Sequence, residues 1–389
     1  MKRAVSVLWA AAIVVSAFFT TGCKDNSKSE FDDGVMRKEM TSAEYVSEMG
    51  LGINLGNTME AYWANDQNRN SGSAVIGDNT ISNYETCWGA IKTTQEIIDG
   101  MKNAGFNTVR VPVYWGNSMT NDGTFTISDA MFDRVEEIVD YCRKADLYVV
   151  INIHHYDEFI IKNYSEEDAV KITGTLWKQI AKHFKNYSDY LIFEGFNENL
   201  GTVRESDNYT DDQKFDYVNK MNQAFVDAVR STGGINKTRM LIASGYWTNI
   251  DLTTDARFHI PEDKVNDRIM VSVHYVDNAM YWTNNIGGQK WLDYSKAQCE
   301  LLKKAFTDKG IQVFVGECTS IYDAERFASN AIYTDSTECL EIMYDMMLDY
   351  GFIPVLWDVN NNFYSRTKYK IKSESDKALI EKLSKEFAE

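Results

Sequence analysis

The feature of this sequence that most limits its fold is an alternation between short apolar runs and longer amphipathic stretches. Eight runs have the length and composition of buried strands. They are Leu51–Leu55, Asn107–Val113, Leu147–Ile153, Tyr190–Phe196, Met240–Ser244, Ile269–Val273, Ile311–Val315 and Phe352–Trp357. Stretches with helical spacing of apolar residues, such as Met131–Ala145 and Phe215–Val229, lie between most of them. This alternation predicts an α/β fold, and its eight repeats favour one closed (β/α)8 TIM barrel over an open doubly wound sheet.

The N-terminus predicts export. Lys2 and Arg3 precede an apolar run and a group of small residues that ends at Cys23, which is the layout of a secretory signal peptide. The residues before Cys23 resemble a bacterial lipobox. We therefore expect a lipoprotein signal peptide over residues 1–22 and lipidation of Cys23. The expected product is an exported bacterial lipoprotein on the outer-membrane cell surface, which touches the membrane only through this anchor.

The remaining chain divides into a tether and a domain. Residues 23–40 are mostly polar and charged, at least through Asp33, and predict a flexible tether. Thr41 and Glu44 have the spacing of a helix capping box, so the barrel is expected to cover residues 41–389. Long loops are expected on its C-terminal face, after strands 1, 3, 4 and 6.

Composition excludes several classes of function. The formal net charge of −17 argues against a nucleic-acid partner, because phosphate recognition needs a basic surface. No Gly-x-Gly-x-x-Gly or Walker-type motif follows a strand, which argues against a nucleotide cofactor. Five cysteines remain beside Cys23, so at least one thiol is free or pairs between chains. Their spacing does not suggest zinc, and we expect no metal and no cofactor. The sequence carries no signal for the oligomeric state.

The strand-like run that begins at Tyr190 ends in Asn197, Glu198 and Asn199. A carboxylate at the end of a buried strand costs solvation free energy unless it is paired or used. Side chains alternate along a strand, so Glu194 and Glu198 share one face and Glu194 lies deeper. We expect Glu194 to make a structural ion pair or hydrogen bond and Glu198 to lie at the rim.

Other predicted strands also end in polar or aromatic side chains. In a β/α barrel, functional groups come from these ends and from the loops that follow. The strand-end residues are Arg110, Trp115, Asn152, His154, His155, Trp247, His274, Tyr275, Glu317, Trp357 and Asp358. Strands 4 and 7 lie nearly opposite in such a barrel, so Glu198 and Glu317 are expected to face each other. Glycoside hydrolysis needs such a pair, one group to protonate the leaving oxygen and one to act at the anomeric carbon.

Six motifs occur in the order of the predicted strands. They are Gly52–Thr58, Gly105–Pro112, Val150–His155, Phe193–Glu198, Val315–Glu317 and Leu356–Asp358. Together they resemble glycoside hydrolase family 5, in the clan of retaining (β/α)8 glycosidases, from about Met49 to the C-terminus. The nearest likeness is to bacterial endoglucanases and xyloglucanases, helped by the segment Glu85–Gly89.

The resemblance implies roles for the strand-end residues. Glu198 would be the general acid/base and Glu317 the nucleophile. Asn197 would hydrogen-bond the sugar 2-hydroxyl, and Arg110 would keep Glu317 ionised. The residues expected to orient the site are His154, His274 and Tyr275. His155 and Trp357 would bind the sugar. Apart from the resemblance, we also expect Trp115 and Trp247, in strand-end loops, and Asn54 to bind substrate.

Two positions depart from the family pattern. The family has Tyr two residues after the strand-6 His, where it bonds the nucleophile, but this chain has Val276 there and Tyr275 one position earlier. Either a bulge lets Tyr275 serve or the contact is missing. Asn199 follows the acid/base where the family usually has Pro.

The expected function is retaining, endo-acting hydrolysis of a β-1,4-linked glucan-type polysaccharide (cellulose, mixed-linkage glucan or xyloglucan). Long loops at the carboxyl face of the barrel predict an open cleft. The alternatives are the same mechanism on mannan, or a surface glycan-binding protein with little or no catalysis. A metal-dependent hydrolase that uses His154 and His155 is disfavoured, because adjacent strand residues point to opposite faces.

Overall fold

The structure, a computed structural model, describes residues 31–62, 80–120, 122–201 and 208–387. Eight parallel strands close into a barrel in sequence order, with the first strand paired to the last. They are β1 (Gly52–Asn54), β2 (Thr108–Val111), β3 (Tyr148–Asn152), β4 (Leu191–Glu194), β5 (Leu241–Ser244), β6 (Ile269–His274), β7 (Val313–Cys318) and β8 (Ile353–Leu356). Each corresponds to a predicted run, so the (β/α)8 barrel is confirmed. A short hairpin, β9 (Tyr364–Ser365) and β10 (Lys370–Ile371), follows the barrel.

Helices cover the outside of the barrel. They are α1 (Ser42–Met49), α2 (Ile81–Thr86), α3 (Gln95–Asn103), α4 (Asp129–Lys144), α5 (Tyr156–Asn163), α6 (Glu166–His183), α7 (Asp211–Ser231), α8 (Ile250–Thr253), α9 (Asn278–Trp282), α10 (Gln289–Ala305), α11 (Ser336–Asp349) and α12 (Glu374–Glu386). Thr41 caps α1 through the predicted capping box with Glu44. None of the helices in the described part of the chain combines the length and apolar composition that a bilayer span requires.

The alternation of side chains along the strands divides the core in two. Outward-facing residues such as Val149 and Phe193 pack against the helices. Inward-facing residues such as Val150 and Ile192 form a separate apolar cluster inside the barrel. The same parity places Glu194 inside, one step nearer the carboxyl end of β4. The barrel interior therefore changes from apolar to polar toward the face that carries the strand ends.

The opposite end of the barrel is closed by α1 and the residues before it. The Tyr45 side chain is completely buried, and its hydroxyl donates to Asp189 Oδ2 at 2.8 Å. Arg37 Nε donates to the same carboxylate at 2.9 Å. Asp32 is also buried and accepts a hydrogen bond from Arg143 Nε at 3.0 Å.

These contacts correct the predicted domain boundary. The flexible tether predicted for residues 23–40 is wrong for residues 32–40, which pack against the barrel through ion pairs. The polar side chains in this segment form ion pairs with buried residues of the barrel. The predicted signal peptide and Cys23 lie outside the described residues. The five described cysteines form no disulfide with one another, and four of them are buried.

Candidate active site

Arg110, on the inward face of β2, is the centre of a polar layer at the carboxyl end of the barrel. Its side chain is completely buried, and Nε donates to Glu194 Oε2 at 2.7 Å. Nη1 donates to Asn54 Oδ1 at 2.9 Å and to Glu317 Oε1 at 3.3 Å. Nη2 donates to Asn197 Oδ1 at 2.9 Å. One buried cation thus fixes two carboxylates and two amides, and these acceptors offset the cost of burying its charge.

Glu194 is a structural member of this layer, as predicted. It has no exposed surface, and it also accepts hydrogen bonds from Asn152 Nδ2 at 2.9 Å and Ser272 Oγ at 2.7 Å. Strand register sets these contacts, because Asn152 lies opposite Glu194 across the β3–β4 pair. The sequence reasoning missed Ser272. Its place two residues before His274 on β6 gives both the same parity, and that signal could have found it.

Glu198 and Glu317 face each other above this layer. The Glu317 side chain is 7% exposed and that of Glu198 is 39% exposed. A carboxylate oxygen of each and a ring nitrogen of His274 all lie within 4.8 Å of one another. Carboxyl groups about 5–5.5 Å apart suit attack by one of them on the substrate, whereas about 6.5–9.5 Å leaves room for a water. The close approach of one oxygen from each group is nearer to the first arrangement than to the second.

Tyr275 completes the surroundings of Glu317. Its hydroxyl donates to Glu317 Oε2 at 3.0 Å. The register between β6 and β7 shifts at Val273 and His274, and Tyr275 has a left-handed backbone with φ +45°. Val276 is buried instead. Of the two alternatives open from the sequence, the contact is therefore present, and Tyr275 makes it beside a register shift and a left-handed backbone.

The two predicted histidines have different surroundings. His274 Nδ1 lies 3.4 Å from Glu198 Oε1 and 3.6 Å from Glu317 Oε2, so it can orient both carboxylates. His154 is buried, and its ring lies parallel to Trp357 with centroids 6.1 Å apart. Burial, reinforced by the charge of His155, lowers the pKa of His154 well below its usual range. His154 is therefore a neutral support for the Trp357 ring.

The protonation of the carboxylate pair follows from its contacts. Burial, with a contribution from the negative charge of Glu198, raises the pKa of Glu317, against the opposing effects of His274 and Arg110. Burial acts the same way on Glu198, but the nearby His274 imidazole lowers the pKa of Glu198 overall. Both Glu317 oxygens already accept a hydrogen bond, from Arg110 and Tyr275. Glu198 is the more exposed of the two side chains and is the one that solvent can reach.

Aromatic rings form one wall of the site beside His155. The His155 ring is 5.7 Å from that of Tyr62 and 5.9 Å from that of Trp88. Trp88 Nε1 donates to the Tyr62 carbonyl at 2.6 Å, and Asn360 Nδ2 donates to the Trp88 carbonyl at 2.6 Å. Loops after β1 and β8 meet here. The sequence reasoning missed Tyr62, because the contact depends on how distant loops come together.

A cavity of about 390 Å³ adjoins Glu198. Its walls include Trp247, Tyr275 and Trp282. Trp282 is 57% exposed, and the Arg326 guanidinium lies 5.2 Å from its ring centre. The predicted contribution of Trp247 to the site is consistent with this position.

Two residues predicted to bind substrate are core residues instead. Asn54 has no exposed surface, and its Nδ2 donates to the Gly316 and Leu356 carbonyls at 2.9 and 3.1 Å. Trp115 is also completely buried, and its Nε1 donates to the Asn152 carbonyl at 2.8 Å. The prediction for Asn54 and Trp115 is wrong, because the polar atoms of both are used within the protein.

Replacing Glu194 by Gln should destabilise the fold, whereas the same change at Glu198 should not. Glu194→Gln leaves the buried Arg110 with one carboxylate fewer, and we expect a loss on the order of 3 kcal/mol in the free energy of unfolding. Glu198→Gln removes a partly exposed charge that lies beside Glu317. Denaturant unfolding of both variants measures the difference, and equal stabilities would contradict a structural role for Glu194.

Comparison with known proteins places this site in a family. The sequence profile described as cellulase (glycosyl hydrolase family 5) matches residues 66–363. Endoglucanase A of Clostridium longisporum is 34% identical over 373 residues, which cover 93% of this chain and 67% of that protein. The xyloglucan-specific endo-beta-1,4-glucanase BoGH5A of Bacteroides ovatus is 34% identical over 248 residues, covering 63% of this chain and 47% of that protein.

Solved structures agree with the sequence relatives. A GH5-4 broad specificity endoglucanase from Ruminococcus champanellensis with bound cellotriose has a TM-score of 0.76 at 28% identity, covering 89% of this chain and 99% of that chain. A lichenase from Caldicellulosiruptor sp. F32, in complex with cellotetraose, has a TM-score of 0.75 at 31% identity. The match covers 89% of this chain and 96% of that chain. The chain belongs to glycoside hydrolase family 5.

Proposed function

We propose that this protein is an endo-acting β-1,4-glucan hydrolase that works by double displacement with retention. The placement of Glu198 and Glu317, with oxygens within 4.8 Å of one another, is the observation that carries this proposal. Glu317 attacks the anomeric carbon while Glu198 gives its proton to the leaving glycosidic oxygen. Glu198 then takes a proton from water, which displaces Glu317 and restores both groups.

The surroundings of each carboxylate fit its step. Arg110 and Tyr275 hydrogen-bond Glu317, which stabilises it as an anion before attack and as a leaving group afterwards. Glu198 is more exposed, so it can exchange a proton with water. Arg110 fixes Asn197 Oδ1, which leaves the amide NH2 group as the donor for the sugar 2-hydroxyl.

The substrate proposal rests on the aromatic side chains on two sides of the site and on the names of the relatives. Their printed names include endoglucanases, a xyloglucan-specific endo-β-1,4-glucanase and a lichenase, so β-1,4-linked or mixed-linkage glucans are the substrates we propose. Aromatic side chains on two sides of Glu198 suit a chain that passes through the site. A purely glycan-binding role is not favoured, because both carboxylates are placed for reaction. No observation favours mannan.

Glu317→Gln and Glu198→Gln should each lower kcat on soluble β-glucan by about a thousandfold or more, since each removes a reacting group. Wild-type enzyme should lower the viscosity of the polymer before many reducing ends appear. Glu341→Gln, which removes an equally exposed carboxylate on α11 away from the site, serves as the matched control and should retain activity. Hydrolysis by the Glu317 variant at the wild-type rate, or release of terminal units alone, would refute the proposal.

Tyr275→Phe should shift the pH profile. The Tyr275 hydroxyl lowers the pKa of Glu317, so its removal raises that pKa. Because Glu317 must be ionised to attack, the acid limb of kcat/KM should move to higher pH, and kcat/KM should fall about tenfold, as expected for one hydrogen bond. Tyr281→Phe is the control. An acid limb that stays in place in the Tyr275 variant would show that this hydroxyl does not act on Glu317.

We also propose that residues 1–22 are a lipoprotein signal peptide and that lipidated Cys23 anchors the protein at the cell surface. The support is the order of charged, apolar and small residues before Cys23. In a bacterial host that processes lipoproteins, Cys23→Ser should move the protein from the membrane fraction to a soluble fraction. External protease should digest the wild-type protein on intact cells. Equal fractionation of both forms would rule out the anchor.

A further inference from the structure

Phe125 and Tyr164 form an aromatic pair on the flank of the barrel, apart from the residues around Glu198. Their ring centroids are 5.5 Å apart at an angle of 73°, and Phe159 packs against Tyr164 at 6.2 Å. The pair borders a cavity of about 360 Å³ that Lys171 and Thr175 of α6 also line. Tyr164 is 37% exposed. The pair therefore presents aromatic surface to solvent.

The backbone at Phe125 is strained. Its φ of +54° lies in the left-handed region, which bulky residues other than glycine rarely adopt. Gln179 of α6 holds the segment in place, because its Nε2 donates to the Phe125 carbonyl at 2.9 Å and its Oε1 accepts from the Ile127 N–H at 3.0 Å. Strain of this kind is concentrated at functional sites. Glycine would adopt this backbone without strain, yet the chain has an aromatic residue at this position.

The groups around the pair suit an uncharged ligand that is rich in hydroxyls. Lys171 Nζ is balanced by Glu167 at 2.7 Å and Asp168 at 3.9 Å. Thr124 and Thr175 add hydroxyl oxygens to the cavity wall. Each hydroxyl donates within the protein, to Asp122 and to the Lys171 carbonyl, and can still accept a hydrogen bond from a ligand. The C–H face of a pyranose can lie on an aromatic ring while its hydroxyls meet such polar groups. An anionic polymer would need cations without carboxylate partners.

A short helix connects this surface to the catalytic cleft. His155 is the N-cap of α5 and Tyr164 is its C-cap. The helix has eight residues and is therefore about 12 Å long. The rings of Tyr156 and Phe159 lie between, 5.7 Å apart. The aromatic pair thus lies beyond the rim at which His155 contacts Tyr62 and Trp88.

We propose that Phe125 and Tyr164 form a second binding site for the β-glucan chain, outside the catalytic cleft. This flank site, defined by Phe125, Tyr164, Thr124, Lys171 and Thr175, holds a distant part of the same polymer or a neighbouring chain. It takes no part in bond cleavage. The inference rests on the proposed function, since it requires a polymeric glucan substrate.

Affinity electrophoresis in gels that contain soluble mixed-linkage β-glucan tests the binding. All proteins carry Glu317→Gln, so the polymer stays intact. Tyr164→Ala and Phe125→Gly should each weaken retardation, with Kd raised at least threefold. Glycine adopts the Phe125 backbone without strain, so Phe125→Gly should keep the fold, and a cooperative thermal transition checks this. Tyr369→Ala, an exposed tyrosine outside the flank site, should leave Kd unchanged.

Kinetics of the otherwise wild-type enzyme separate the flank site from the cleft. Tyr164→Ala should raise KM for the polymer by the same factor as Kd and leave kcat/KM for a short cello-oligosaccharide unchanged. Unchanged retardation, or an equal loss on polymer and oligosaccharide, would overturn the flank site. Failure of the wild type to cleave either substrate would instead overturn the proposed function. Retardation in the glucan gel reports on the flank site independently of cleavage.

Discussion

The site depends on one buried guanidinium. Arg110 serves two carboxylates unequally, at 2.7 Å from Glu194 and 3.3 Å from Glu317. Glu194 is buried beside Arg110 and offsets its charge. Glu317 can therefore bond Arg110 through a longer contact and stay within reach of a substrate. The same guanidinium orients Asn54 and Asn197, and through them it fixes strand ends around much of the barrel. Without Glu194, only the longer contact with Glu317 would offset the buried charge of Arg110.

Much of this arrangement could be predicted from sequence, because it follows from the period of strands. Alternation along β4 is enough to place Glu194 inside the barrel and Glu198 at its rim. The order of the strands is enough to bring Glu317 opposite. Tyr275 could not be placed in this way, because its left-handed backbone and the register shift against β7 break the simple alternation there, and the sequence carries no signal for either. The aromatic contacts of Tyr62 and Trp88 with His155 could not be predicted either, since they form where the loops after β1 and β3 meet.

The wrong predictions share a physical cause. A polar or amphipathic residue at a strand end shows that a hydrogen-bond partner is needed, but not whether protein or ligand supplies it. Asn54 and Trp115 find their partners in backbone carbonyls. Asp32 and Arg37 look like residues of a tether because their partners, Arg143 and Asp189, are 111 and 152 positions away. Composition within a short window cannot report such pairs.

The end of the barrel that α1 closes has a consequence for the order in which the chain can fold. Asp32, Arg37 and Tyr45 leave the ribosome early, yet their partners are made much later. Asn54 bonds the Leu356 carbonyl across 302 positions, so β1 cannot join β8 until nearly the whole chain exists. Loop-closure entropy must be overcome before these contacts form. The nascent chain therefore carries the segment from Asp32 to Tyr45 without its partners until Asp189 is made. Its sugar-binding face becomes complete only when the last strand arrives.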